Sequence, residues 1–204
     1  MIEITNNRVF GIEGAMHGMR FPYESFNKQD TEGERIGTND MELCKKLIKG
    51  GSEHRKFLRM IHVQAEVRAP RYYWSEADTY HFMVKNSSST MHLITKRKLK
   101  IDDFAYDKGA DFWLVAPLKQ INCLIEEYND CKDKDKKREI FLIIKKLLPE
   151  SFMQRRFIDT NYEELLNIYR QRKNHRLPEW HTFCEWIKSL PYMEEFIEAM
   201  ESKE

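Results

Sequence analysis

Two asparagines and an arginine near the end of the chain have the residue types and the spacing of a ligand-binding surface. Asn161 lies 12 residues after Pro149, and Asn167 follows 6 residues later. Arg172 lies 11 residues after Asn161. An amide side chain offers a donor and an acceptor to the edge of a heterocycle, and a guanidinium suits a phosphate or an anionic ring. The apolar residues between them recur at helical intervals, so composition alone favours an ordinary amphipathic helix.

The segment that contains these residues, 148–191, resembles the C-terminal signature of the flavin-dependent thymidylate synthases, the ThyX family. That signature has a Leu-Pro pair, two asparagines and an arginine at the same offsets. The resemblance implies that Asn161 and Asn167 help to hold the flavin, FAD. It also implies that Arg172 binds deoxyuridylate (dUMP) and is the catalytic group, because it would polarise the pyrimidine.

A second group of residues, in the middle of the chain, keeps the order of the same family. His54 follows a glutamate and precedes Phe57 by three residues, and Arg68 lies further on in a Val-Arg-Ala sequence. The resemblance implies that His54 and Arg68 contact the flavin. The segment 86–92, Asn-Ser-Ser-Ser-Thr-Met-His, resembles a drifted Ser-x-Arg-Tyr motif that lacks the arginine. It implies that Ser89 contacts the nucleotide.

The chain departs from the family pattern at two places where the family has arginines. Glu76-Ala77-Asp78 stands at the position of an Arg-His-Arg motif, and Glu163 replaces an arginine two residues after Asn161. Carboxylates repel a phosphate instead of neutralising it, and in a partly dehydrated site this costs several kcal/mol. The resemblance therefore implies a shared scaffold more strongly than it implies inherited catalysis.

These replacements leave three interpretations open. The first is a diverged flavin-dependent thymidylate synthase, which methylates dUMP with a folate as methylene donor and NADPH as the source of electrons. The second is a non-catalytic homo-oligomer, of the kind that phage or mobile genomes keep, which binds a nucleotide or a protein partner. The third is a changed ligand, either a cation or an uncharged molecule. Asn161, Asn167 and Arg172 favour the first interpretation, whereas Glu76 and Asp78 favour the second.

Other candidate sites have weaker support. Four residues could be drawn into a metal site: His175, Glu179, His181 and Glu185. Their spacing matches no metal-binding motif, so we predict no metal site. Asp78 and His81 lie three residues apart, so we expect an ion pair on a helix surface, with a general acid/base pair as the alternative. The basic residues of segment 91–100 are expected to be solvated instead of binding phosphate.

Composition favours a folded protein without an extreme charge. The 204 residues are 41% hydrophobic and 12% aromatic, which is too rich for a disordered chain. A formal net charge of +1 gives no strong signal for nucleic acid or acidic membranes. The four cysteines include no C-x-x-C pair, and neither a signal-like start nor a long apolar run is present. We therefore expect a single cytoplasmic domain, 1–204, with reduced thiols and no membrane partner.

The first half of the chain is expected to mix strands and helices. Residues 2–10 read as a strand, and the glycine-punctuated residues 11–19 fit either a helix or a loop. Asn39-Asp40 is expected to cap a helix over 41–49. Partial alternation predicts a strand over 56–67, and Pro70 is expected to begin a helix.

The second half is expected to be mostly helical. Amphipathic patterns predict helices over 118–128 and 136–148, which could pair as an antiparallel hairpin with a charged connector. Asp159-Thr160 is expected to cap a helix over 161–173, and a last helix is expected over 177–190. The resemblance implies an α+β fold with a mostly antiparallel sheet, flanking helices and amphipathic C-terminal helices. It also implies a homotetramer whose active sites are built from several subunits.

Overall fold

The computed structural model describes residues 2–106, 109 and 112–202, and it has an α+β architecture. Its antiparallel sheet has the strand order β1-β2-β4-β3. The strands are β1 (Glu3–Phe10), β2 (His62–Pro70), β3 (Val84–Ser87) and β4 (Met153–Asn161). The fold class expected from the C-terminal motif is therefore confirmed.

Nine α-helices belong to the described residues. They are α1 (Ile12–Arg20), α2 (Thr38–Gly50), α3 (Arg71–Ala77), α4 (Thr90–Leu93), α5 (Phe112–Asp130), α6 (Lys134–Leu147), α7 (Tyr162–Arg172), α8 (Pro178–Lys188) and α9 (Met193–Glu201). Short 3₁₀ helices cover Phe21–Tyr23, Phe26–Lys28, Lys56–Met60 and Ile101–Asp103.

The chain divides into two compact units. Unit 1 consists of Met1–Glu3, Arg68–Thr79 and Asn86–Arg156. Unit 2 consists of Ile4–Val67, Tyr80–Lys85 and Phe157–Glu204. The expected single domain over 1–204 stays a prediction.

Unit 1 has its core on the inner faces of α5 and α6. The buried residues of this cluster are Ile94, Leu99, Phe104, Ile121, Ile125, Ile140, Ile144 and Leu148. Asp133 begins α6, because its side chain accepts hydrogen bonds from the N–H groups of Asp135 and Lys136, both at 2.9 Å. The two helices predicted from their apolar periodicity are thus present, and α5 begins six residues earlier than expected.

Unit 2 has its core between its helices and the apolar face of β2. Val63, Ala65 and Val67 alternate along β2 with no exposed surface, as the period of a strand requires. Helices α7, α8 and α9 each bury one side, with Leu165 and Trp180 among the residues fully removed from solvent. Burial of these faces is the main driving force for this half of the fold.

The expected start of the helix in the first half is wrong, because a distant residue supplies the cap. Helix α2 begins at Thr38, and the N–H groups of Asn39 and Asp40 donate to the Asp30 carboxylate at 2.8 and 3.0 Å. Asp40 is itself buried, and its Oδ1 accepts a hydrogen bond from Arg20 Nε at 2.6 Å. Its carboxylate is therefore used for a buried ion pair instead of a cap.

Two further boundaries differ from expectation. Lys56–Met60 is a 3₁₀ helix, and the strand begins only at His62. The cap predicted at Asp159-Thr160 is also wrong, because both residues belong to β4. The N-cap of α7 is Asn161, whose side chain accepts a hydrogen bond from the Glu164 N–H at 3.0 Å. Strand β4 was missed because charged residues interrupt its apolar pattern. A further helix, α9, follows the helix that was expected to be the last.

Candidate functional site

Unit 1 contains a cavity of about 420 Å³ with a strongly cationic lining, which we call the arginine cavity. Its polar lining consists of Arg68, Ser88, Ser89, Thr90, Lys96, Arg97, Asp103, Gln154 and Arg155. Its apolar lining consists of Leu93, Ile94, Leu99, Phe152 and Met153. Four cations, three hydroxyls and one carboxylate therefore share the lining with five apolar side chains.

Pairing between β4 and the loop after β3 positions the hydroxyls of the arginine cavity. The Ser88 N–H donates to the Arg155 carbonyl at 2.9 Å, and Gln154 Nε2 donates to the Ser88 carbonyl at 3.3 Å. Ser89 precedes α4, but its side chain does not cap that helix. Thr90 Oγ1 accepts a hydrogen bond from Lys145 Nζ of α6. The loop is thus fixed from both sides, which limits the positions its hydroxyls can adopt.

Arg97 and Asp103 form a two-pronged ion pair at the edge of the arginine cavity. Arg97 Nη2 donates to Asp103 Oδ1 and Arg97 Nη1 donates to Asp103 Oδ2, both at 2.7 Å. The Lys100 N–H donates to the same Oδ2 at 2.8 Å. Partial burial raises the pKa of Asp103. These hydrogen bonds and the Arg97 charge lower it by more, so the pKa lies below its usual value. Asp103 is therefore ionised at neutral pH.

Arg68, the expected flavin contact, lies in the arginine cavity together with Ser89. Arg68 Nη1 is 2.6 Å from the Glu3 carboxylate, and Arg68 also donates to the Asp102 carbonyl. The structure thus brings the expected flavin contact and the expected nucleotide contact to the same cavity of unit 1.

The acidic residues that replace the Arg-His-Arg motif do not line the arginine cavity. Asp78, which directly follows α3, is 2.7 Å from Arg156 Nη1. The Arg156 guanidinium also stacks on the Trp74 ring at 4.4 Å from its centroid. The Asp78 charge is therefore balanced within unit 1, and it imposes no repulsion of the kind expected at a phosphate site.

Unit 2 contains a smaller cavity of about 180 Å³ beside the start of α7, which we call the asparagine cavity. It is lined by Arg59, Phe82, Asn161, Glu163, Glu164 and Asn167. The two asparagines expected to hold the flavin are thus brought together. The Asn161 side chain also caps α7, and Asn167 Oδ1 accepts a hydrogen bond from Gln171 Nε2 at 2.9 Å.

Two carboxylates dominate the electrostatics of the asparagine cavity. Glu163 pairs with Arg55, whose Nε lies 3.1 and 2.8 Å from its two oxygens, and the side chains are only 14% and 10% exposed. Burial raises the pKa of Glu164, and a hydrogen bond from Asn167 opposes this shift without cancelling it. Glu163 and Asn167 also line an adjoining cavity of about 460 Å³. The asparagine cavity thus has two carboxylates and one arginine, Arg59, and Glu163 stands where the family pattern predicts an arginine.

His54 lies in a third cavity of unit 2, of about 640 Å³, whose lining is mostly apolar. Phe21, Phe57 and Met60 are among its lining residues, and the asparagines are not. An aromatic ring would fit such a surface. The role expected for His54 stays a prediction.

Arg172 lies on the aromatic side of α7. Its guanidinium stacks on the rings of Trp180 and Tyr80, 4.6 and 5.5 Å from their centroids. Its Nε donates to the Tyr80 hydroxyl at 2.8 Å. Among the described residues, Arg172 does not line any of the cavities above. Its expected role in substrate activation therefore stays a prediction that none of these four cavities supports.

Sequence reasoning missed several residues of the arginine cavity. Arg155 lies in the strand that was not predicted, and Lys96 and Arg97 belong to the basic segment expected to be solvated. Both side chains are exposed, as expected, although they also line the cavity. Lys98 is likewise exposed and pairs with Glu126. The run of basic residues was the available signal, but a run does not say which of its members face a cavity.

The described residues contain neither a metal-binding cluster nor a helix that could span a membrane. Among residues 2–106, 109 and 112–202, no three His, Cys, Asp or Glu side chains form a group that could hold a metal ion. Within the same part of the chain, every helix is too short or too polar to cross a membrane.

Solved structures with the same fold are known, although no protein-family model and no curated protein matches the sequence. A flavin-dependent thymidylate synthase ThyX from Helicobacter pylori, complexed with FAD and dUMP, is 17% identical with a TM-score of 0.77, covering 98% of each chain. A second ThyX structure from Helicobacter pylori, also with FAD and dUMP, is 16% identical with a TM-score of 0.79, covering 98% of this chain and 100% of the other.

A third solved structure is the UMP/dUMP methylase PolB from Streptomyces cacaoi, bound with 5-Br dUMP. It is 12% identical with a TM-score of 0.63, covering 100% of this chain and 93% of that one. The chain therefore has the fold of the flavin-dependent thymidylate synthases, as its C-terminal motif predicts.

Proposed function

We propose that the arginine cavity binds a uridine nucleoside monophosphate, with dUMP as the first candidate. The observation that carries this proposal is a lining of four cations and three hydroxyls together with five apolar side chains. A phosphate monoester carries a charge of about −1.5 to −2 at neutral pH, and arginine forks and hydroxyls are its usual partners. Solved structures with the same fold carry dUMP or 5-Br dUMP, which agrees with this choice of ligand.

The reaction that accompanies this binding in the proposal is reductive methylation of dUMP. FAD would carry the hydride, a folate would supply the methylene group, and NADPH would supply the electrons. The amides of Asn161 and Asn167 fit the edge of a flavin ring, and the apolar cavity around His54 fits its face. Glu163 and Glu164 do not fit the flavin diphosphate, and a cavity of about 180 Å³ cannot enclose FAD. The flavin site therefore requires a homo-oligomer, proposed here as a tetramer, in which other subunits contribute the remaining contacts.

A second candidate function is a non-catalytic oligomer that binds the nucleotide without flavin. Two observations favour it. Arg172, the expected catalytic group, is engaged by Tyr80 and Trp180, and the Arg55–Glu163 ion pair occupies the region where the family pattern has an arginine. Both candidates share the nucleotide site of unit 1 and differ in whether flavin binds.

Two measurements on the full chain distinguish these candidates. Titration calorimetry with dUMP measures nucleotide binding, and the visible absorption spectrum after incubation with excess FAD and gel filtration measures flavin retention. Binding of dUMP together with near-stoichiometric flavin would support the synthase and justify an assay of dUMP methylation. Binding of dUMP to a colourless protein would support the non-catalytic candidate. Absence of dUMP binding would overturn the proposal.

A further inference from the structure

A single carboxylate in a cationic cavity requires an explanation. Asp103 lies among four cations in the arginine cavity, and its side chain is 17% exposed. A carboxylate near a phosphate weakens phosphate binding by repulsion. If the cavity served only to hold an anion, Asp103 would therefore lower its affinity for that anion.

The hydrogen bonds of Asp103 leave acceptor capacity on one oxygen. An ionised carboxylate has about four lone-pair sites. Oδ2 accepts hydrogen bonds from Arg97 Nη1 and the Lys100 N–H, whereas Oδ1 accepts one from Arg97 Nη2. Both oxygens are held in place by the planar fork of Arg97, so the carboxylate has a fixed orientation. Oδ1 can therefore accept one further hydrogen bond from a donor in the cavity.

The kind of donor follows from the rest of the lining. The cations and hydroxyls of the cavity suit the phosphate of a nucleotide, and its apolar side chains suit the base. The remaining part of the ligand is the sugar, whose hydroxyl groups are good donors to a carboxylate.

We propose that Asp103, positioned by Arg97, accepts a hydrogen bond from a sugar hydroxyl of the nucleotide and selects ligands that carry it. This inference rests on the proposed nucleotide site and goes beyond it by naming the residue that recognises the sugar. The same carboxylate that gives this selectivity also weakens phosphate binding.

The test compares three nucleotides and inorganic phosphate by titration calorimetry on the full chain. The nucleotides are UMP, dUMP and 2′,3′-dideoxyuridine monophosphate, which differ only in their sugar hydroxyls. We expect the wild-type protein to bind its preferred hydroxyl-bearing nucleotide about tenfold more tightly than the dideoxy nucleotide. A preference for UMP over dUMP assigns the contact to the 2′-hydroxyl, and equal binding of the two assigns it to the 3′-hydroxyl.

Two variants separate recognition of the sugar from support of the loop. Asp103→Ala removes the acceptor, so it should bind the hydroxyl-bearing and dideoxy nucleotides with about the same affinity. Asp103→Asn keeps the size and one acceptor, so a reduced preference of about threefold should remain. Both variants should bind inorganic phosphate at least as tightly as the wild type, because a negative charge has been removed. A purely structural role would weaken phosphate and nucleotide binding together, and that result would overturn the inference.

A neighbouring carboxylate provides the matched control. Asp102 is exposed and its side chain does not line the cavity, so Asp102→Asn should leave all four affinities unchanged. Equal binding of dUMP, UMP and the dideoxy nucleotide to the wild type would overturn the inference and leave the nucleotide site intact. Absence of binding by any of the four ligands would overturn both proposals.

Discussion

The arginine cavity of unit 1 and the asparagine cavity of unit 2 have opposite electrostatic characters. In unit 1, Asp103 is kept ionised by the Arg97 fork among further cations. In unit 2, burial favours the protonated form of Glu164, and Glu163 forms an ion pair with Arg55. The comparison teaches that each cavity takes its electrostatic character from the charged side chains of its own unit. The proposed phosphate site lies in unit 1, whereas the Arg55–Glu163 ion pair lies in unit 2.

The largest expected effect tests whether the ion pair of unit 2 is a structural element. Removal of one partner, by Glu163→Ala or Arg55→Ala, should lower the free energy of unfolding by about 3 kcal/mol, because a mostly buried charge loses its partner. The double variant should lose less stability than the sum of the losses in the two single variants. Urea denaturation of the three proteins measures the coupling between the residues.

The same region of unit 2 offers a control pair. Lys173 and Glu201 line the adjoining cavity and are 2.7 Å apart, but their side chains are 36% and 39% exposed. Their removal should cost less than about 1 kcal/mol. Equal losses from both pairs would contradict the view that burial of the Arg55–Glu163 pair sets its importance.

The next effect tests the cationic character of unit 1. Arg155→Gln should weaken dUMP binding about tenfold, because one charge-assisted contact to the phosphate is lost. Arg170→Gln, which removes an arginine from the cavity beside the Arg55–Glu163 pair, should leave dUMP binding unchanged. Titration calorimetry measures both. If the two variants weakened dUMP binding equally, the contrast between the cavities would be lost.

A smaller effect concerns Asn161, which has a structural duty besides its expected contact with flavin. Asn161→Ala should lower stability by about 1 kcal/mol, because the cap of α7 is removed. Asn161→Asp keeps the capping acceptor, removes the amide donor and adds a negative charge that the N-terminus of α7 favours, so its stability should be at least that of the wild type.

Thermal unfolding measures the capping role of Asn161, and the retained flavin absorbance measures its role in binding. If flavin is retained by the wild type, Asn161→Asp should weaken that retention despite its normal stability. Unchanged flavin retention in this variant would argue against an amide contact at Asn161.

The smallest expected effects concern pH, and they have opposite signs in the two cavities. The lowered pKa of Asp103 contributes stability that is present above the ordinary aspartate pKa, about 4, and is lost as the pH falls through the lowered value. Because the pKa of Glu164 is raised, its ionisation lowers the stability of the folded protein at pH values above that raised pKa. This loss of stability disappears as the pH falls below the ordinary glutamate pKa.

Two variants measured from pH 3 to pH 7 test these signs. Asp103→Asn should be less stable than the wild type at pH 7, and Glu164→Gln should be more stable. Both differences should shrink toward pH 3, as urea denaturation at each pH would measure. Differences of the same sign would show that the two carboxyl groups do not have opposite environments.

Motifs and periodicity predicted more of the fold than of the site. The apolar periods of α5, α6 and α8 were sufficient to locate those helices, because burial of one face follows directly from the spacing of apolar residues. Strand β4 was not predicted, because charged residues such as Arg155 and Arg156 interrupt its apolar alternation. Arg155 was therefore also missed as a residue of the arginine cavity.

The sequence by itself determined the fold class, because the offsets from Pro149 to Asn161, Asn167 and Arg172 carry the pattern of a known scaffold. Only the tertiary structure decided which charges face each other. Arg55 and Glu163 are 108 residues apart in the sequence and 2.8 Å apart in space. A motif fixes spacing along one element, whereas the partner of a charged side chain comes from whichever distant segment the core brings beside it. The electrostatic character of both cavities therefore became visible only in the folded chain.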